Sequence, residues 1–357
     1  MTTDVGALVL TAGLVAEAAG GRVLSGRAET AFDTVSTDTR AIAPGALFIA
    51  LRGDRFDGQT FVDEAIARGA AGLLVSNPVA NPGGAAVIQV HDTLIGLQRL
   101  ARDVRRRSTA RVVAITGSAG KTTTKEMTAE LLGARYRVFR NRGNLNNHIG
   151  LPLSLLELRH DVDVAVVEFG MNHAGEIRTL VGIAEPDIRV WTNVGDAHIG
   201  FFGSREAVAD AKAEILEHAS PAAVVVVNAD DPLVMARAGA FAGRRVTFGE
   251  RADAVVRASK VVEYGLAGTH AEVDTPAGRL QLTTRLPGRT QLLNVLAAIA
   301  VATELGVPLA AIEGRVNAFH PLPRRGAMKA TPQGAYVVDD SYNASPAAMR
   351  AMLAALA

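Results

Sequence analysis

Short apolar runs rich in β-branched residues alternate along the chain with longer stretches in which apolar residues recur every three or four positions. Runs of the first kind predict strands, and stretches of the second kind predict helices. Strands separated by helices of about ten or more residues form parallel sheets covered by helices, so the pattern predicts an α/β fold. The predicted strands span residues 46–51, 71–76, 87–90, 111–116, 162–168, 188–193 and 222–228.

The apolar N-terminal stretch, residues 5–19, lacks the basic flank of a signal peptide and has Asp4 and Glu17 at its edges. Thr11 is a suitable N-cap and Gly20-Gly21 a suitable stop, so we expect a short amphipathic helix between them. No run of about 18 apolar residues occurs in the sequence, and no membrane-spanning helix is therefore expected.

The length of 357 residues predicts two or three domains, because a single core rarely organises so long a chain. A charged helix gives way to a new strand near Arg107, and an arginine-rich segment around Pro321 and Pro323 suggests a hinge. The strand at 335–340 and the helix at 345–357 that follow cannot close a core, so we expect a truncated, Rossmann-like third domain. The expected division is a small N-terminal α/β domain at 1–107, a central parallel-sheet domain at 108–320, and the hinge with the start of the third domain at 321–357.

Charge and composition exclude several classes of function. A net charge of +1 provides no global field for nucleic acid or for an anionic membrane, and we interpret the one basic run, Arg105 to Arg107, as a solvated helix end. The sequence contains no cysteine, which excludes disulfides, thiolate metal sites and cysteine nucleophiles and fits a reducing cytosol. We therefore expect a cytoplasmic, monomeric protein without nucleic-acid or membrane partners.

A glycine-rich loop between the predicted strand 111–116 and a helix is the clearest chemical motif. Its sequence is Gly117-Ser118-Ala119-Gly120-Lys121-Thr122-Thr123, the G-x-x-G-K-T form of a phosphate-binding loop; Ile115 stands where the longer form has its first glycine. Glycines let backbone N–H groups approach phosphate oxygens, Lys121 can reach the β- and γ-phosphates, and the Thr122 hydroxyl can reach Mg²⁺. The motif predicts ATP binding but does not identify the reaction.

Three further polar residues have an ordinary interpretation when each is taken alone. Glu168 ends an apolar strand, at the edge where α/β proteins bind ligands, and could be a Mg²⁺ ligand or simply a solvated cap. His198 follows the strand 188–193, and an isolated histidine is usually structural. Lys212 has Glu214 as a helical neighbour and would ordinarily be a surface charge.

The order and spacing of several motifs resemble the Mur ligases, the amide ligases of peptidoglycan synthesis. The resemblance covers essentially the whole chain. Within the family, the chain most resembles the branch that joins D-alanyl-D-alanine to UDP-MurNAc-tripeptide. Its marks are Thr37-Asp38-Thr39-Arg40, residues 47–53, the loop 116–127, Gly143-Asn144-Leu145-Asn146-Asn147, Glu168-Phe169-Gly170-Met171-Asn172-His173, Thr192-Asn193-Val194, Ala197-His198, Lys212, and residues 339–344.

The resemblance implies a magnesium site and catalytic residues around the loop. Thr122, Glu168 and His198 would hold Mg²⁺, together with Lys212. The matching lysine of the family is carbamylated, and this modification needs a neutral amine, which burial can supply by lowering the pKa. Lys121, Lys212, His198 and Arg325 would be the catalytic residues.

The resemblance also implies binding residues for each substrate. For ATP, Asn294 matches an adenine contact, Asp340 a ribose contact, and Arg325 an arginine near the phosphates, with Arg324 as an alternative. The residues expected to bind the UDP end are Thr37, Asp38, Arg40, Arg52 and Gly53. Those expected to line the muramoyl-peptide path are Asn144, Asn146 and Asn147, although asparagine clusters usually form turns.

The implied reaction has two steps. The peptide carboxylate attacks the γ-phosphate of ATP to give an acyl phosphate and ADP, and the amine of D-Ala-D-Ala then displaces inorganic phosphate. Three alternatives stay open: a sister Mur or folylpolyglutamate-type ligase, a generic P-loop ATPase or kinase, and a binding fragment without turnover. A generic ATPase would lack Lys212 and the motif at 37–40, and a substrate panel would decide between ligases.

Overall fold

A computed structural model describes residues 8–53 and 56–356, without the side chain of Ala347. The strands are β1 Leu10–Thr11, β2 Arg22–Ser25, β3 Ala31–Phe32, β4 Val35–Ser36, β5 Leu47–Ile49, β6 Arg52–Gly53, β7 Phe56–Asp57, β8 Gly72–Val75, β9 Ala86–Gln89, β10 Arg111–Thr116, β11 Val138–Arg140, β12 Val164–Glu168, β13 Ile188–Trp191, β14 Val224–Asn228, β15 Arg244–Gly249, β16 Val256–Glu263, β17 Thr269–Thr275, β18 Gly278–Thr284, β19 Ala327–Ala330 and β20 Tyr336–Asp339.

The α-helices alternate with these strands or follow them along the chain. They are α1 Ala12–Ala19, α2 Val62–Ala67, α3 Thr93–Arg107, α4 Lys121–Leu132, α5 Gly150–Leu155, α6 Glu176–Ala184, α7 Ile199–Phe202, α8 Arg205–Ala213, α9 Pro232–Ala238, α10 Arg289–Glu304, α11 Leu309–Ala318 and α12 Pro346–Leu356. Short 3₁₀ helices lie at Thr39–Ala41, Gly58–Phe61, Leu156–Arg159, Glu214–Leu216 and Gly265–Ala267.

The chain forms two compact units. Within the described residues, unit 1 is drawn from Met1–Ala110, Arg142–Val162 and Gly182–Ala184, and unit 2 from Arg111–Asn141, Asp163–Val181 and Glu185–Ala357. The division into three domains at residues 107 and 320 stays a prediction.

Unit 1 contains a sheet in the order β2-β9-β8-β5-β4, in which β4, β5, β8 and β9 are parallel and β2 is antiparallel to β9. The predicted strands 46–51, 71–76 and 87–90 are therefore confirmed. The predicted N-terminal helix is also confirmed: Thr11 Oγ1 accepts the Leu14 N–H at 3.3 Å, and Gly20 ends α1 with φ 73°. Residues 5–7 of the apolar stretch lie outside the described residues.

The basic end of α3 is not wholly solvated, contrary to the interpretation from sequence. Arg105 Nε donates to the Ala184 carbonyl at 2.9 Å, while Arg107 pairs with Asp103 on the same helix. The Arg105 guanidinium, which has five N–H donors, thus satisfies a carbonyl at the end of α6. The sequence alone does not reveal that this helix end lies beside Arg105.

Unit 2 contains a large sheet in the order β11-β12-β10-β13-β14-β15-β16-β17-β18. Pairing is parallel from β11 to β16, which confirms the predicted α/β class, and antiparallel among β16, β17 and β18. The antiparallel edge was not expected, because its strands are not continuous apolar runs. These strands instead alternate: in β18, Leu280, Leu282 and Thr284 are buried and the residues between them are exposed.

Helix α10 forms the core of unit 2. It is buried around most of its circumference, from Leu292 to Ala302, and packs on α4 and on strands β14 to β16. A helix that is apolar on all sides needs such a position. Across the described part of the chain, none of the helices is both long and apolar enough to cross a membrane.

The C-terminal segment differs from its prediction in one respect. Strand β20 and helix α12 were expected, but β20 pairs with β19, which lies where the hinge was expected. Met349, Leu353 and Leu356 are exposed on α12, and Met352 is half-buried. The helix is anchored on its other side by Ala355, which is buried beside Gly265 and Gly288.

Candidate functional site

The phosphate-binding loop follows β10, which lies between β12 and β13, so the loop is at the carboxyl edge of the parallel strands. Gly120 precedes α4 with φ 79°, and a Cβ at this position would overlap Asn294 Oδ1. A Cβ at Gly117 would overlap the Thr192 hydroxyl. The loop therefore requires glycine at both positions, one for its left-handed backbone and both for close approach.

The loop is held by the residues that follow β13. Asn193 Oδ1 accepts the Ala119 N–H at 2.9 Å, its Nδ2 donates to the Ala119 carbonyl at 3.1 Å, and its own carbonyl accepts the Ser118 N–H at 3.0 Å. Thr192 Oγ1 also donates to the Ala119 carbonyl, at 2.8 Å. From the sequence, Thr192 and Asn193 belonged to a family motif without an assigned role, and their position directly after a buried strand was the signal for one.

Glu168 and Thr122 meet beside the loop. Thr122 Oγ1 donates to Glu168 Oε2 at 2.8 Å, and Glu168 is buried at the end of β12, whose register places it opposite Ile115. Asn141 Oδ1 accepts the Glu168 N–H at 3.1 Å, and the buried Lys125 donates to the Asn141 carbonyl at 2.7 Å. Asn141 and Lys125 were missed by sequence analysis, because nothing local distinguishes them from surface residues.

Two lysines converge on a single carbonyl of the loop. Lys121 Nζ donates to the Gly117 carbonyl at 2.9 Å, and Lys212 Nζ donates to the same oxygen at 3.1 Å. Burial lowers the pKa of both amines, that of Lys212 strongly, and the charge of Lys121 lowers the pKa of Lys212 further while Glu168 opposes these effects.

The two lysines differ in burial, and the structure corrects the interpretation of one of them. Lys121 is the first residue of α4 and is half-buried. Lys212 is 1% exposed and is not the surface charge that its sequence neighbours alone suggested. Its neutral form is favoured, and a neutral lysine amine is the nucleophilic form.

His198 lies between β13 and α7, where its backbone is left-handed with φ 66°. Partial burial lowers the pKa of this imidazole, and Lys212 and Lys121 lower it further, whereas Glu176 acts in the opposite direction. The neutral imidazole is thereby favoured, and this is the form that accepts a metal or a water proton. The role of His198 at the magnesium site stays a prediction.

The oxygen donors at this site suit Mg²⁺. Glu168 supplies a buried carboxylate and Thr122 a hydroxyl, both hard oxygen ligands. Among the described residues there is no group of three or more His, Cys, Asp or Glu side chains that could hold a metal ion. Mg²⁺ is commonly bound by one or two carboxylates together with substrate phosphates and water, so a complete protein cage is not needed.

Asn294 lies beneath the loop. Its Oδ1 accepts the Thr124 hydroxyl at 3.4 Å, and its Nδ2 donates to Gln291 at 3.0 Å. The side chain is buried and is therefore not a helix-surface amide. Its expected contact with adenine stays a prediction.

Arg325, rather than Arg324, is electrostatically linked to the loop. The Arg325 guanidinium lies over the Tyr342 ring at 4.0 Å from its centroid, and its charge lowers the pKa of Lys121 and of Asp340. Burial nevertheless raises the pKa of Asp340 overall. Arg324 is exposed and acts on Asp339 instead. These contacts favour Arg325 as the arginine near the phosphates.

The candidate UDP-binding residues lie in unit 1, but the structure gathers only some of them. Asp38 caps the 3₁₀ helix Thr39–Ala41 and holds the Arg40 guanidinium at 2.7 and 2.9 Å, which lowers the Asp38 pKa to about 2. Thr37 directly precedes this cap. Arg52 and Gly53 form the separate β6–β7 hairpin, in which the Phe56 ring covers Gly53.

An open cleft of about 640 Å³ lies beyond the ends of β8 and β9 in unit 1. Arg52 lines it with Arg22, Asn77 and His91, whereas Thr37, Asp38 and Arg40 do not line it. In the other candidate loop, Asn147 Oδ1 accepts the N–H groups of Ile149 and Gly150 and so begins α5, a capping role. Asn144 is exposed and Asn146 half-buried. The substrate-binding roles of all these residues stay predictions.

A parallel sheet with a glycine loop, a buried carboxylate and a buried lysine at its carboxyl edge defines a P-loop nucleotide-binding protein. Two family models match the chain: the Mur ligase middle domain at residues 115–302 and the catalytic domain of the Mur ligase family at residues 32–106. The chain belongs to the Mur ligase family.

Similar proteins agree with this assignment. The UDP-N-acetylmuramoyl-tripeptide–D-alanyl-D-alanine ligase of Bacillus subtilis (strain 168) is 37% identical over 329 residues, 91% of this chain and 70% of that protein. A crystal structure of MurF from Acinetobacter baumannii has a TM-score of 0.92 and 33% identity, covering 99% of this chain and 77% of that chain. MurF ligase from Thermotoga maritima in complex with ADP has a TM-score of 0.82 and 31% identity, covering 90% of this chain and 74% of that chain.

Proposed function

We propose that this protein is an ATP-dependent, ADP-forming ligase that joins D-alanyl-D-alanine to UDP-MurNAc-tripeptide in peptidoglycan precursor synthesis. Two findings support the proposal. The name of the Bacillus subtilis relative states this activity, and the chain resembles MurF structures, one of which was solved with ADP. The reaction takes place in the cytoplasm, where ATP is available, and the protein acts as a monomer. Mg²⁺ accompanies ATP.

The observation that carries the proposed chemistry is the pair of lysines on the Gly117 carbonyl. A buried neutral amine at Lys212 can add to CO₂, forming an N–C bond and releasing one proton, and the product is an anionic carbamate. The carbamate places a negative charge beside Lys121 and adds two oxygens near Glu168. These oxygens are of the type that Mg²⁺ prefers.

The remaining residues bind and orient the reactants. Lys121 and Arg325 neutralise charge that accumulates on the transferred phosphoryl group, and backbone N–H groups of the loop bind the phosphates. The substrate carboxylate attacks the γ-phosphorus and ADP leaves; the amine then attacks the acyl carbon and phosphate leaves. No protein nucleophile is required, so catalysis rests on positioning and charge neutralisation.

The function is tested by measuring phosphate release from Mg·ATP with UDP-MurNAc-tripeptide and a panel of amines: D-Ala-D-Ala, D-Ala, L-Lys and L-Glu. We expect release only with D-Ala-D-Ala, and none from a Lys121→Ala variant. Turnover with L-Lys or L-Glu instead would support a sister ligase. Tight binding of both UDP-MurNAc-tripeptide and ATP without phosphate release from any amine would favour the binding-fragment alternative.

The carbamate is tested by chemical rescue. We expect Lys212→Ala to lose nearly all phosphate release and to regain part of it with acetate or formate, whose oxygens can occupy the position of the carbamate. Lys260→Ala, at an exposed lysine paired with Glu272, is the control and should behave as wild type with and without acetate. Rescue by methylamine, and not by carboxylates, would indicate that Lys212 acts as a cation.

A further inference from the structure

Glu214 is a buried carboxylate, 5% exposed, to which neither the motif nor the proposed reaction assigns a role. Its Oε1 accepts the Gly175 N–H at 2.6 Å, and its Oε2 accepts the Arg178 N–H at 3.0 Å. These N–H groups belong to the start of α6, where the first-turn donors have no partner within the helix. A buried anion at this end is also favoured by the helix dipole.

The position of Glu214 connects this contact to Lys212. Glu214 begins the 3₁₀ helix Glu214–Leu216, which continues α8 directly after Ala213, so only one residue separates it from Lys212. A helical segment is stiff over so short a distance, and a displacement of Glu214 therefore displaces Lys212. Helix α6 in turn follows the loop that leaves β12 at Glu168. Glu214 thus joins the segments that carry Lys212 and Glu168.

Arg189 holds the backbone carbonyls of the same segment. This side chain is buried on β13, and it donates to the carbonyls of Ile215 at 2.9 Å, Glu217 at 2.6 Å and His218 at 3.2 Å. The planar guanidinium satisfies several carbonyls at once, which a lysine could not do in the same geometry. The segment after Lys212 is therefore held in two ways. The Glu214 side chain contacts the start of α6, and the backbone carbonyls of the segment contact Arg189.

We propose that Glu214 is a positioning residue for Lys212: together with Arg189 it braces the segment after Lys212 and holds the Lys212 amine on the Gly117 carbonyl. The proposal rests on the proposed function in one respect, because the carbamate at Lys212 is taken from there. A brace of this kind keeps the amine oriented for modification and keeps the resulting oxygens beside Glu168 and the phosphate loop. Glu214 acts through Lys212 and does not itself touch the reactants.

The test compares Glu214→Gln with Glu217→Gln in the full chain. Glutamine has the shape of glutamate, but its NH₂ group faces an N–H donor and one of the two contacts with α6 is lost. Glu217 is a matched control, because it lies three residues further on and its carboxylate contacts the exposed Arg178 guanidinium, whereas Glu214 accepts the backbone N–H groups of Gly175 and Arg178 and lies 3.7 Å from that guanidinium. Both variants are first checked for a wild-type unfolding transition.

Two quantities are measured for each variant. The first is the ¹³C NMR signal of the Lys212 carbamate in ¹³C-bicarbonate, identified by its loss in Lys212→Arg. The second is the affinity for Mg·ADP by calorimetry. We expect both to fall about tenfold in Glu214→Gln, to stay within twofold of wild type in Glu217→Gln, and to recover in part in Glu214→Asp, which restores the carboxylate.

The possible outcomes separate this proposal from the proposed function. The brace is wrong if Glu214→Gln keeps the wild-type carbamate signal and affinity, or if Glu217→Gln loses as much as Glu214→Gln does. If the wild type shows no carbamate signal but Glu214→Gln still loses Mg·ADP affinity, the brace is supported and the modified lysine of the proposed function is wrong.

Discussion

Lys125 and Lys212 are both buried in unit 2, and their surroundings differ. Lys125 Nζ lies 3.1 Å from Glu126 and donates to the Asn141 carbonyl, so its charge has an anionic partner in direct contact. Lys212 donates to a neutral carbonyl that it shares with the cation Lys121. A buried cation without a contacting anion is costly, which favours the uncharged amine at Lys212. Lys125 is therefore a buried, paired charge beside Asn141, whereas the surroundings of Lys212 are consistent with its predicted role in the reaction.

We expect Lys121→Ala to weaken Mg·ATP binding by at least tenfold without unfolding the protein. A charge-assisted hydrogen bond to phosphate contributes about 1.5–3 kcal/mol, and 1.4 kcal/mol corresponds to a factor of ten in affinity. Calorimetric titration of wild type, Lys121→Ala and the surface control Lys260→Ala would measure the difference. Equal affinity in all three proteins would remove Lys121 from the nucleotide site.

Asp163 gives unit 2 a dependence on acidic pH. It accepts the Arg137 N–H and the Arg137 guanidinium, both at 2.8 Å, and these contacts lower its pKa from 3.8 to about 2. Because the folded-state pKa lies below the unfolded one, the stabilisation is present above about pH 4 and is lost as the pH falls through 2. The pair is partly exposed, so we expect Asp163→Asn to lower the free energy of unfolding by only about 0.5–1 kcal/mol at pH 7.

Urea unfolding at several values between pH 7 and pH 3 measures this effect. The difference between wild type and Asp163→Asn should shrink as the pH falls, and Arg137→Gln should show the same trend because it removes the partner. A difference that is constant with pH would show that the carboxylate contributes through packing and not through its charge.

At the scale of elements, the site is built where three parallel strands end. The loop after β10, Glu168 at the end of β12, and Thr192-Asn193 after β13 are brought together by the strand order β12-β10-β13. Helix α10 contributes from below, because Asn294 occupies the space that a side chain at Gly120 would need. The geometry of the loop therefore depends on residues about 170 positions apart in the chain, as the contact of Thr124 with Asn294 shows.

We expect Gly120→Ala to disturb the loop more than an equally strained substitution elsewhere. Gly120 has φ 79° and Gly334 has φ 82°, so alanine is strained at both, at a cost of about 1–3 kcal/mol. A Cβ at Gly334 meets no described atom within 4 Å, whereas a Cβ at Gly120 overlaps Asn294. Both variants should lose stability, but only Gly120→Ala should lose Mg·ATP affinity, by more than tenfold.

Thermal unfolding and calorimetric titration of the two variants provide the comparison. Parallel losses of nucleotide affinity in both would mean that backbone strain in general, and not the contact between loop and α10, controls the site. An Asn294→Ala substitution in the Gly120→Ala background should restore part of the thermal stability, because it removes the overlapping oxygen, and the Asn294→Ala single variant measures the separate loss of the predicted adenine contact.

At the scale of the whole molecule, each unit carries a distinct set of candidate binding residues. The ATP-binding candidates lie in unit 2, and the UDP- and muramoyl-peptide-binding candidates lie in unit 1. A ligand that binds only the folded form stabilises it by about 2.7 kcal/mol at one hundred times its dissociation constant. The nucleotide should therefore stabilise unit 2 more than unit 1, and UDP-MurNAc-tripeptide should stabilise unit 1 more than unit 2.

Hydrogen exchange with mass spectrometry tests this separation. Mg·ADP should slow exchange in segments 115–125 and 289–296 of unit 2, and UDP-MurNAc-tripeptide should slow exchange around residues 37–41 in unit 1. In Lys121→Ala the protection by Mg·ADP should be reduced while that by the UDP compound is kept. Protection of 37–41 by Mg·ADP alone would contradict the assignment of substrates to units.

Elements with local signals could be predicted from the amino-acid sequence alone. Strands β10, β12, β13 and β14 are buried on both faces and therefore appear as continuous apolar runs, and the phosphate loop depends on residues that are adjacent in the chain. The antiparallel strands β16, β17 and β18 have an alternating pattern that was also present in the sequence but is weaker, because half of each strand faces solvent.

Only the tertiary structure decided which polar residues are buried and what they contact. Lys125, Arg189, Lys212 and Glu214 resemble surface charges in the sequence, and the resemblance to a family singled out Lys212 alone. Their burial results from packing against segments up to about a hundred residues away, as in the contact of Lys212 with Gly117. The free energy of a buried charge depends on those distant partners, so local sequence cannot reveal whether a charged residue is solvated, structural or part of the site.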